Sequence, residues 1–539
     1  MNNSIPQLRE KQVEQLAFYI ANKKCLDLSD PGTGKTPPCC VMSYFVWAKE
    51  QGRTVWSMPK SLLKKNKKEL ERFTPFEDAD VAIMHTDRAN LTKNWTGATI
   101  ESTRRVATWK LEDGTYTHEL EGKRKLFYED AQGSPLVLRT GKPMPSTYDP
   151  AEWVKVAPLR GPDGLPRKQW VDVPETFKDL IVEAAKTAKV FICTFAFLSS
   201  HWKRLMEAAP DLDLFLVDEL HMGYGGPNSK QTESFYWVNK HCSRFIGMTG
   251  TLINGRLDSA FPAVHVIEPR YYGSLRGFYF EHAAVVDDYD RVVVWKNEAK
   301  LGEILKRHSI RRTFEEVYGE EDVVFQTEYV DMDDKTREAY DKFHDQAMLE
   351  LEDESVIDGT SPGVALVRAR QIMSHPHTML SGLPEHTAKE ERVMVHLSQG
   401  RTTLVFASLQ PEQDRLLAVA KSMGLRAALI NGNTPTPERV RIDEAAQRGE
   451  LDVIVASGPT TAVGYNWEMF DLVLFVSIDF MDVNILQAYR RASRGSRTKT
   501  LFVMFLRYED SVEDRMYDIN RAKNQLARRV DPTRKELIF

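Results

Sequence analysis

Residues 29–36 read Ser29-Asp-Pro-Gly-Thr-Gly-Lys-Thr36, and about 180 residues later Leu214-Phe-Leu-Val-Asp218-Glu219-Leu-His221 closes an apolar run with two carboxylates. Glycines at 32 and 34 let the backbone turn tightly with its N–H groups facing inward, and a following helix adds a favourable N-terminal dipole for phosphate. Within such a loop Gly32, Thr33 and Gly34 cradle phosphates, Lys35 reaches the β- and γ-phosphates, and Thr36 holds Mg2+ through its hydroxyl. Cys25-Leu-Asp-Leu28 supplies the strand that must lead into it. The strict GxxxxGK[ST] pattern asks for glycine at position 29, where this chain has serine. Residues 214–217 suit a strand buried on both faces of a parallel sheet, which delivers Asp218 and Glu219 to the usual ligand crevice. Asp218 is then expected to hold the metal through its coordinated water, and Glu219 to accept a proton from the attacking water. Together the two segments predict a hydrolase that uses ATP and Mg2+.

The chain has 539 residues, 42% hydrophobic and 28% charged, which bounds it to a globular protein with two major domains and room for an insertion. No apolar run approaches the ~20 residues that cross a bilayer, and Met1-Asn-Asn-Ser-Ile-Pro6 has no signal-peptide core. No membrane association is expected, and the expected location is cytoplasmic, at a nucleoid or in a phage-infected host. Five cysteines (Cys25, Cys39, Cys40, Cys193, Cys242) include no CxxC pair, so neither zinc nor a disulfide framework is expected. The net charge of −5 does not advertise nucleic-acid binding, but phosphate contacts are made by a face rather than by a total. Lys60, Lys64, Lys65, Lys67 and Lys68 form one basic run, Arg490, Arg491, Arg494, Arg497 and Lys499 a second, and Arg521, Lys523, Arg528, Arg529, Arg534 and Lys535 a third. A solvated face and a DNA contact remain alternative readings of the third.

Further segments fall into a recognisable order. Leu8-Arg-Glu-Lys-Gln12, the loop, Val55-Trp-Ser-Met-Pro-Lys60-Ser61-Leu-Leu63, Phe191-Ile-Cys-Thr194, Asp218-Glu-Leu-His221 and Met248-Thr249-Gly250-Thr251 occupy the first half. Arg311-Arg-Thr-Phe-Glu-Glu-Val317, Arg370-Gln-Ile-Met-Ser-His-Pro376, Thr461-Ala-Val-Gly464-Tyr-Asn466 and Gln487-Ala-Tyr-Arg-Arg491-Ala-Ser-Arg494 occupy the second. The chain resembles superfamily-two helicase-type ATPases, most closely the Swi/Snf branch of double-stranded DNA translocases in a compact microbial or phage form. The resemblance implies an α/β fold of two RecA-like parallel-sheet lobes, with a β-rich insertion in the first lobe and helical insertions between the lobes. Expected boundaries are 1–260 for the first lobe, including the insertion at 100–176, then 261–390 for the helical protrusions and 391–539 for the second lobe.

By the same resemblance Gln12 recognises adenine, and Gly464 and Gln487 complete the nucleotide site. Lys60, Ser61, Thr194, Thr461 and Asn466 contact DNA, while His221, Thr249, Gly250 and Thr251 couple hydrolysis to movement. Arg491 and Arg494, three apart and so near one helix face, are the expected arginines that the second lobe presents to the γ-phosphate. Leu252 replaces the proline usual after Thr-Gly-Thr, Ser496 ends a shortened arginine motif, and Asn66 stands where the branch commonly has tryptophan.

Residues 108–120 alternate around Asp113-Gly114, a hairpin signal, and a similar pattern flanks Asp163-Gly164 between Val154-Lys-Val156 and Trp170-Val-Asp-Val173. Arg104, Arg105, Lys123, Arg124 and Lys125 interleaved with Trp109, Tyr116, Phe127 and Tyr128 make a DNA clamp or fork sensor one reading of this insertion and an aromatic minicore the other. The expected activity is an ATP-dependent motor, acting as a monomer on duplex or branched DNA without sequence preference, in recombination, repair or replication. A strand-separating or branch-migrating helicase is the nearer alternative, RNA is a further possible track, and a non-catalytic DNA-binding scaffold is the alternative of another class.

Overall fold

The structure is a computed structural model that describes residues 5–85, 99–110, 116–117, 168–178, 180–288, 290–346, 348–350, 356–358, 362–378, 380–458, 465–480, 482–493 and 497–536. The chain divides into two compact units, Met1–Thr86 with Thr187–Phe539, and Asp87–Lys186.

The larger unit holds two parallel sheets. The first takes β1 (Lys24–Asp27), β2 (Arg53–Met58), β3 (Val81–Met84), β4 (Val190–Thr194), β5 (Leu212–Val217), β6 (Arg244–Met248) and β7 (Ser309–Ile310) in the order β7-β1-β6-β5-β2-β4-β3. Every pairing in it is parallel. Such strands lie under helices on both faces, which is why β4 and β6 are buried at every position and read as largely apolar runs, with the buried Arg244 paired to Glu50. The second sheet takes β8 (Val323–Val330), β9 (Thr403–Phe406), β10 (Ala427–Ile430), β11 (Val453–Ala456), β12 (Leu472–Phe475) and β13 (Leu501–Tyr508) in the order β8-β13-β12-β9-β11-β10, again all parallel. Two apolar layers sandwich it, one built around Trp467, Phe475 and Tyr489, the other around Val393, Val405 and Leu474. These are the two RecA-like lobes expected from the sequence.

The sheets extend across the boundaries set at 260 and 391. β7 brings Ser309–Ile310 back beside β1, and β8 enters the second sheet at Val323. Neither announces itself in the sequence: β7 has two residues, and β8 is only half-buried along most of its length. Between 261 and 390 the helices Phe261–Ile267, Leu275–His282, Glu298–His308, Asp334–Gln346 and Pro362–Ser374 are joined by two antiparallel hairpins, Ala283–Val286 with Val292–Trp295 and Met348–Glu350 with Val356–Asp358.

In the smaller unit Thr99–Lys110 pairs antiparallel with Lys168–Lys178, and Tyr116–Thr117 pairs antiparallel with Trp109–Lys110; the Asp113-Gly114 turn expected between them lies outside the described residues. Trp170–Val173 is registered against Arg104–Ala107, and the second expected hairpin, with Val154–Val156 and Asp163-Gly164, lies outside the described residues. The clamp residues Lys123, Arg124, Lys125, Phe127 and Tyr128 also lie outside them.

Candidate nucleotide site

Parallel strands end on one side of each sheet, and the crevice beyond their carboxyl ends receives ligands. β1 runs directly into the 29–36 loop. Gly32 and Gly34 both have φ +89°, in the left-handed region that a side chain resists. At Gly34 a Cβ would also stand 2.7 Å from Gln12 Nε2, because that amide donates to the Gly34 carbonyl at 3.0 Å. Gln12 Oε1 accepts from the Arg9 backbone at 3.0 Å, so the residue expected to read adenine is tied to the loop and to its own helix start. Lys35 begins the helix Thr36–Glu50 and folds its ammonium back onto the carbonyls of Ser29 (2.6 Å) and Asp30 (3.0 Å). Thr33 Oγ1 donates to the same Asp30 carbonyl at 2.8 Å.

Ser29, the departure from the strict loop pattern, is fully buried and bonded on three sides. Its N–H donates to Asp27 Oδ1 at 2.9 Å, and its hydroxyl accepts from Gln15 Nε2 at 3.3 Å and from the Arg312 backbone at 3.0 Å. A strap after β7 therefore grips the loop. Arg311 donates to the Leu28 carbonyl at 2.7 Å and to Asp30 Oδ1 at 3.0 Å, the Phe314 N–H donates to Asp30 Oδ2 at 3.2 Å, and Tyr318 donates to the Gly32 carbonyl at 3.0 Å.

β5 ends at Val217, which places Asp218 and Glu219 beside the loop. Asp218 is buried, and its Oδ2 accepts from Asn66 Nδ2 at 3.2 Å. Asn66, 1% exposed on the helix Leu63–Phe73, thus holds Asp218 from 152 residues away. Glu219 sits at φ 50°, ψ 53°, a left-handed conformation that non-glycine residues adopt at a cost and that clusters at functional sites. Burial, and then the Glu219 charge, raise the Asp218 carboxyl above the usual range, while the Lys35 ammonium pulls it back. Burial likewise raises Glu219, opposed by the charges of Lys35 and Arg491. Two carboxylates in a dry pocket with one lysine facing both fit a divalent cation, which would relieve their repulsion. Asp218 and the Thr36 hydroxyl are the residues that would hold it, and the chemistry it would supply is Lewis-acid polarisation of a phosphate oxygen.

β6 ends in the third element. His221 Nδ1 lies 2.8 Å from Thr249 Oγ1 and 3.1 Å from Thr251 Oγ1, and the Thr249 N–H donates to the Asp27 carbonyl at 3.0 Å. A Cβ on Gly250 would stand 2.8 Å from Pro31 Cδ, so this segment touches the loop where no side chain fits. Leu252, in the place of the usual proline, is buried and its carbonyl accepts from Ser259 Oγ at 2.8 Å.

The second lobe contributes less that is regular. Gln487, 2% exposed, lies on the helix Asp482–Tyr489, which ends before Arg491. The described helix stops at Tyr489, and Arg494, the other half of the expected helix face, lies outside the described residues. The Arg491 carbonyl accepts from the Trp467 N–H at 2.8 Å, and the chain tightens into i to i−3 bonds from Arg491 and Ala492, which carries it off the helical path. Arg491 still comes near enough for its charge to act on Glu219. Arg494, Thr461 and Gly464 lie outside the described residues. Lys60 and Ser61 are exposed on a turn at the end of β2, and Asn466 is exposed. Thr194 caps the helix Phe195–Ala208 by accepting from the Phe197 N–H at 3.2 Å. All five cysteines are buried and free, and among the described residues no helix is long and apolar enough to cross a membrane.

The family model for the SNF2-related domain matches residues 21–378, more than half of the chain. The chain belongs to the SNF2-related family. Its resemblance to helicase-type ATPases of the Swi/Snf branch is thereby borne out. Curated relatives include the CHD3-type chromatin-remodeling factor CHR7 of Arabidopsis thaliana, 22% identical over 57% of this chain and 26% of that protein. An uncharacterized ATP-dependent helicase of Mycoplasma pneumoniae is 22% identical over 52% of this chain and 27% of its own length. The match thus spans about a quarter of these curated relatives. A solved structure, the Sulfolobus solfataricus SWI2/SNF2 ATPase core in complex with dsDNA, aligns with 96% of this chain and 91% of that one at 17% identity, with a TM-score of 0.36.

Proposed function

We propose that the chain is a DNA-dependent ATPase that converts hydrolysis into movement along double-stranded or branched DNA, in recombination, repair or replication. The observation that carries the reading is the convergence on one loop of Lys35, Asp218–Glu219 and the Thr249–Thr251 segment from the first sheet with the Arg491 charge from the second. Membership of the SNF2-related family, and relatives named as a remodeling factor and an ATP-dependent helicase, support the same reading.

In this reading Lys35 leaves its two carbonyl partners for the β- and γ-phosphates of ATP, and Thr36 with Asp218 would hold Mg2+. Glu219 takes the proton of the attacking water. Arg491 neutralises charge on the γ-phosphate only when the lobes are suitably closed, which ties hydrolysis to lobe position. The exposed Lys60, Ser61, Lys64, Lys65 and Lys68 offer a phosphate-facing strip that reads no base edges, consistent with movement on any sequence. The test is ATP hydrolysis by the wild type and Glu219→Gln, each alone and with single-stranded DNA, duplex DNA, a forked junction and RNA. Stimulation by plain duplex that is lost in the variant supports a duplex motor. A response confined to forks favours the strand-separating helicase, and hydrolysis on no substrate sinks the reading.

A further inference from the structure

Arg490 immediately precedes the expected phosphate-sensing arginine, and its geometry is unlike that of its neighbours. Its side chain is 2% exposed, and it belongs to the second lobe, yet its Nη2 lies 3.5 Å from Oδ2 of Asp30 in the first-lobe phosphate loop. Its Nε lies 3.6 Å from Glu321, and its guanidinium rests 4.6 Å from the centre of the Phe314 ring. Neither Nε nor Nη1 makes a hydrogen bond. Arg497, a few residues on and nearly as buried, uses all three nitrogens on partners that include the Lys499, Glu468, Phe470 and Thr500 carbonyls. A static structural arginine looks like Arg497. A buried guanidinium held by two long ion pairs and an aromatic face, with no hydrogen bond at Nε or Nη1, is attracted to its site without being fixed in it, as suits a group that exchanges partners between two arrangements.

Asp30 is the other half of the contact. Its carboxylate is held by Arg311 and the Phe314 N–H from the strap and by Arg490 from the second lobe. Its carbonyl is one of the two oxygens that accept from the Lys35 ammonium. One residue thus joins lobe position to the side chain that must be released for ATP.

We infer that Arg490 is a positioning residue: with Asp30 it forms a latch between the lobes that keeps Lys35 on the loop carbonyls until movement of the second lobe withdraws the arginine. The inference rests on the motor reading above. It makes the loop's resting state a function of lobe separation, so that DNA, by shifting the lobes, releases Lys35.

The experiment measures kcat and KM for ATP, with and without duplex DNA, in the wild type, Arg490→Gln, Arg490→Lys, Asp30→Asn and the double variant Arg490→Gln with Asp30→Asn, alongside melting temperature. With the latch removed, Arg490→Gln raises the DNA-free kcat/KM at least about threefold and shrinks the ratio of DNA-stimulated to DNA-free rate by the same factor. Asp30→Asn shrinks that ratio too, the double variant is no worse than either single one, and Arg490→Lys recovers part of the wild-type ratio. An unchanged ratio, whether both rates hold or both fall together with the melting temperature, overturns the latch. Should Arg490→Gln fail to fold, the ratio in Arg490→Lys and Asp30→Asn decides in the same way. A wild type that hydrolyses ATP on no substrate sinks the motor reading instead, so the two failures are distinguishable.

Discussion

The two lobes bring their carboxyl edges to the same crevice in different ways. In the first, each expected group is fixed by neighbours that are themselves fixed: Gln12 on Gly34, Ser29 on Gln15 and Arg312, Asp218 on Asn66, His221 on Thr249 and Thr251. In the second, Arg490 and Arg491 sit on a turn just past a short helix, where the Arg491 carbonyl accepts from the Trp467 N–H. A knot of that kind sets a geometry before the ligand arrives, as catalytic preorganisation requires. A turn leaves its side chains to be placed by lobe position, as a sensor requires.

Substitutions separate the two designs. Arg491→Ala is expected to give the largest loss, about 10³-fold in DNA-stimulated kcat with little change in melting temperature. A loss below about tenfold would mean that the second edge is chemically idle. Glu219→Gln follows, at about 10²-fold in kcat with KM for ATP held within a few-fold, measured in the same assay. Gly250→Ala tests the knot itself: a methyl group 2.8 Å from Pro31 must displace the loop, and about 1–3 kcal/mol of stability is lost in a denaturant titration. An unaffected Gly250→Ala would show that the first edge is looser than its contacts imply. Asn66→Leu removes the amide from Asp218 and raises the Mg2+ concentration for half-maximal hydrolysis about tenfold.

The smallest effect concerns two basic runs of similar composition. Lys64 and Lys68 are exposed, whereas the C-terminal cations are engaged within the protein: Lys523 with the Phe480 carbonyl, Arg529 with Glu298, Arg534 with the Ile253 carbonyl and Lys535 with Glu321. Replacing Lys64 and Lys68 together by alanine is expected to flatten the dependence of log Kd for duplex DNA on log salt by about 1 to 2. Replacing Arg529 and Arg534 leaves that slope unchanged and lowers the melting temperature.

What the sequence discloses and what it withholds follow the same division. Strand ends are legible because a buried parallel strand is an apolar run with its functional residue next in line, as Val217 is to Asp218. The reason serine is accepted at position 29 is not legible, because its partner Arg312 is 283 residues away. Asn66 announces itself only as a missing tryptophan, with nothing nearby to say that it reaches across to Asp218. The turn that follows Tyr489 is not legible either, and the Trp467 N–H that donates to the Arg491 carbonyl there comes from 24 residues upstream.

The helix Val512–Val530 begins beside the second sheet and ends against the first lobe, where Val530 presses so closely on Gly302 that a Cβ there would stand 2.2 Å from its carbonyl oxygen. Nineteen residues make a rod about 28 Å long, so each degree of pivot at one end sweeps the other through roughly 0.5 Å. In the proposed motor, a rod seated this tightly on Gly302 would turn a rotation of one lobe against the other into a displacement that grows with the rod's length.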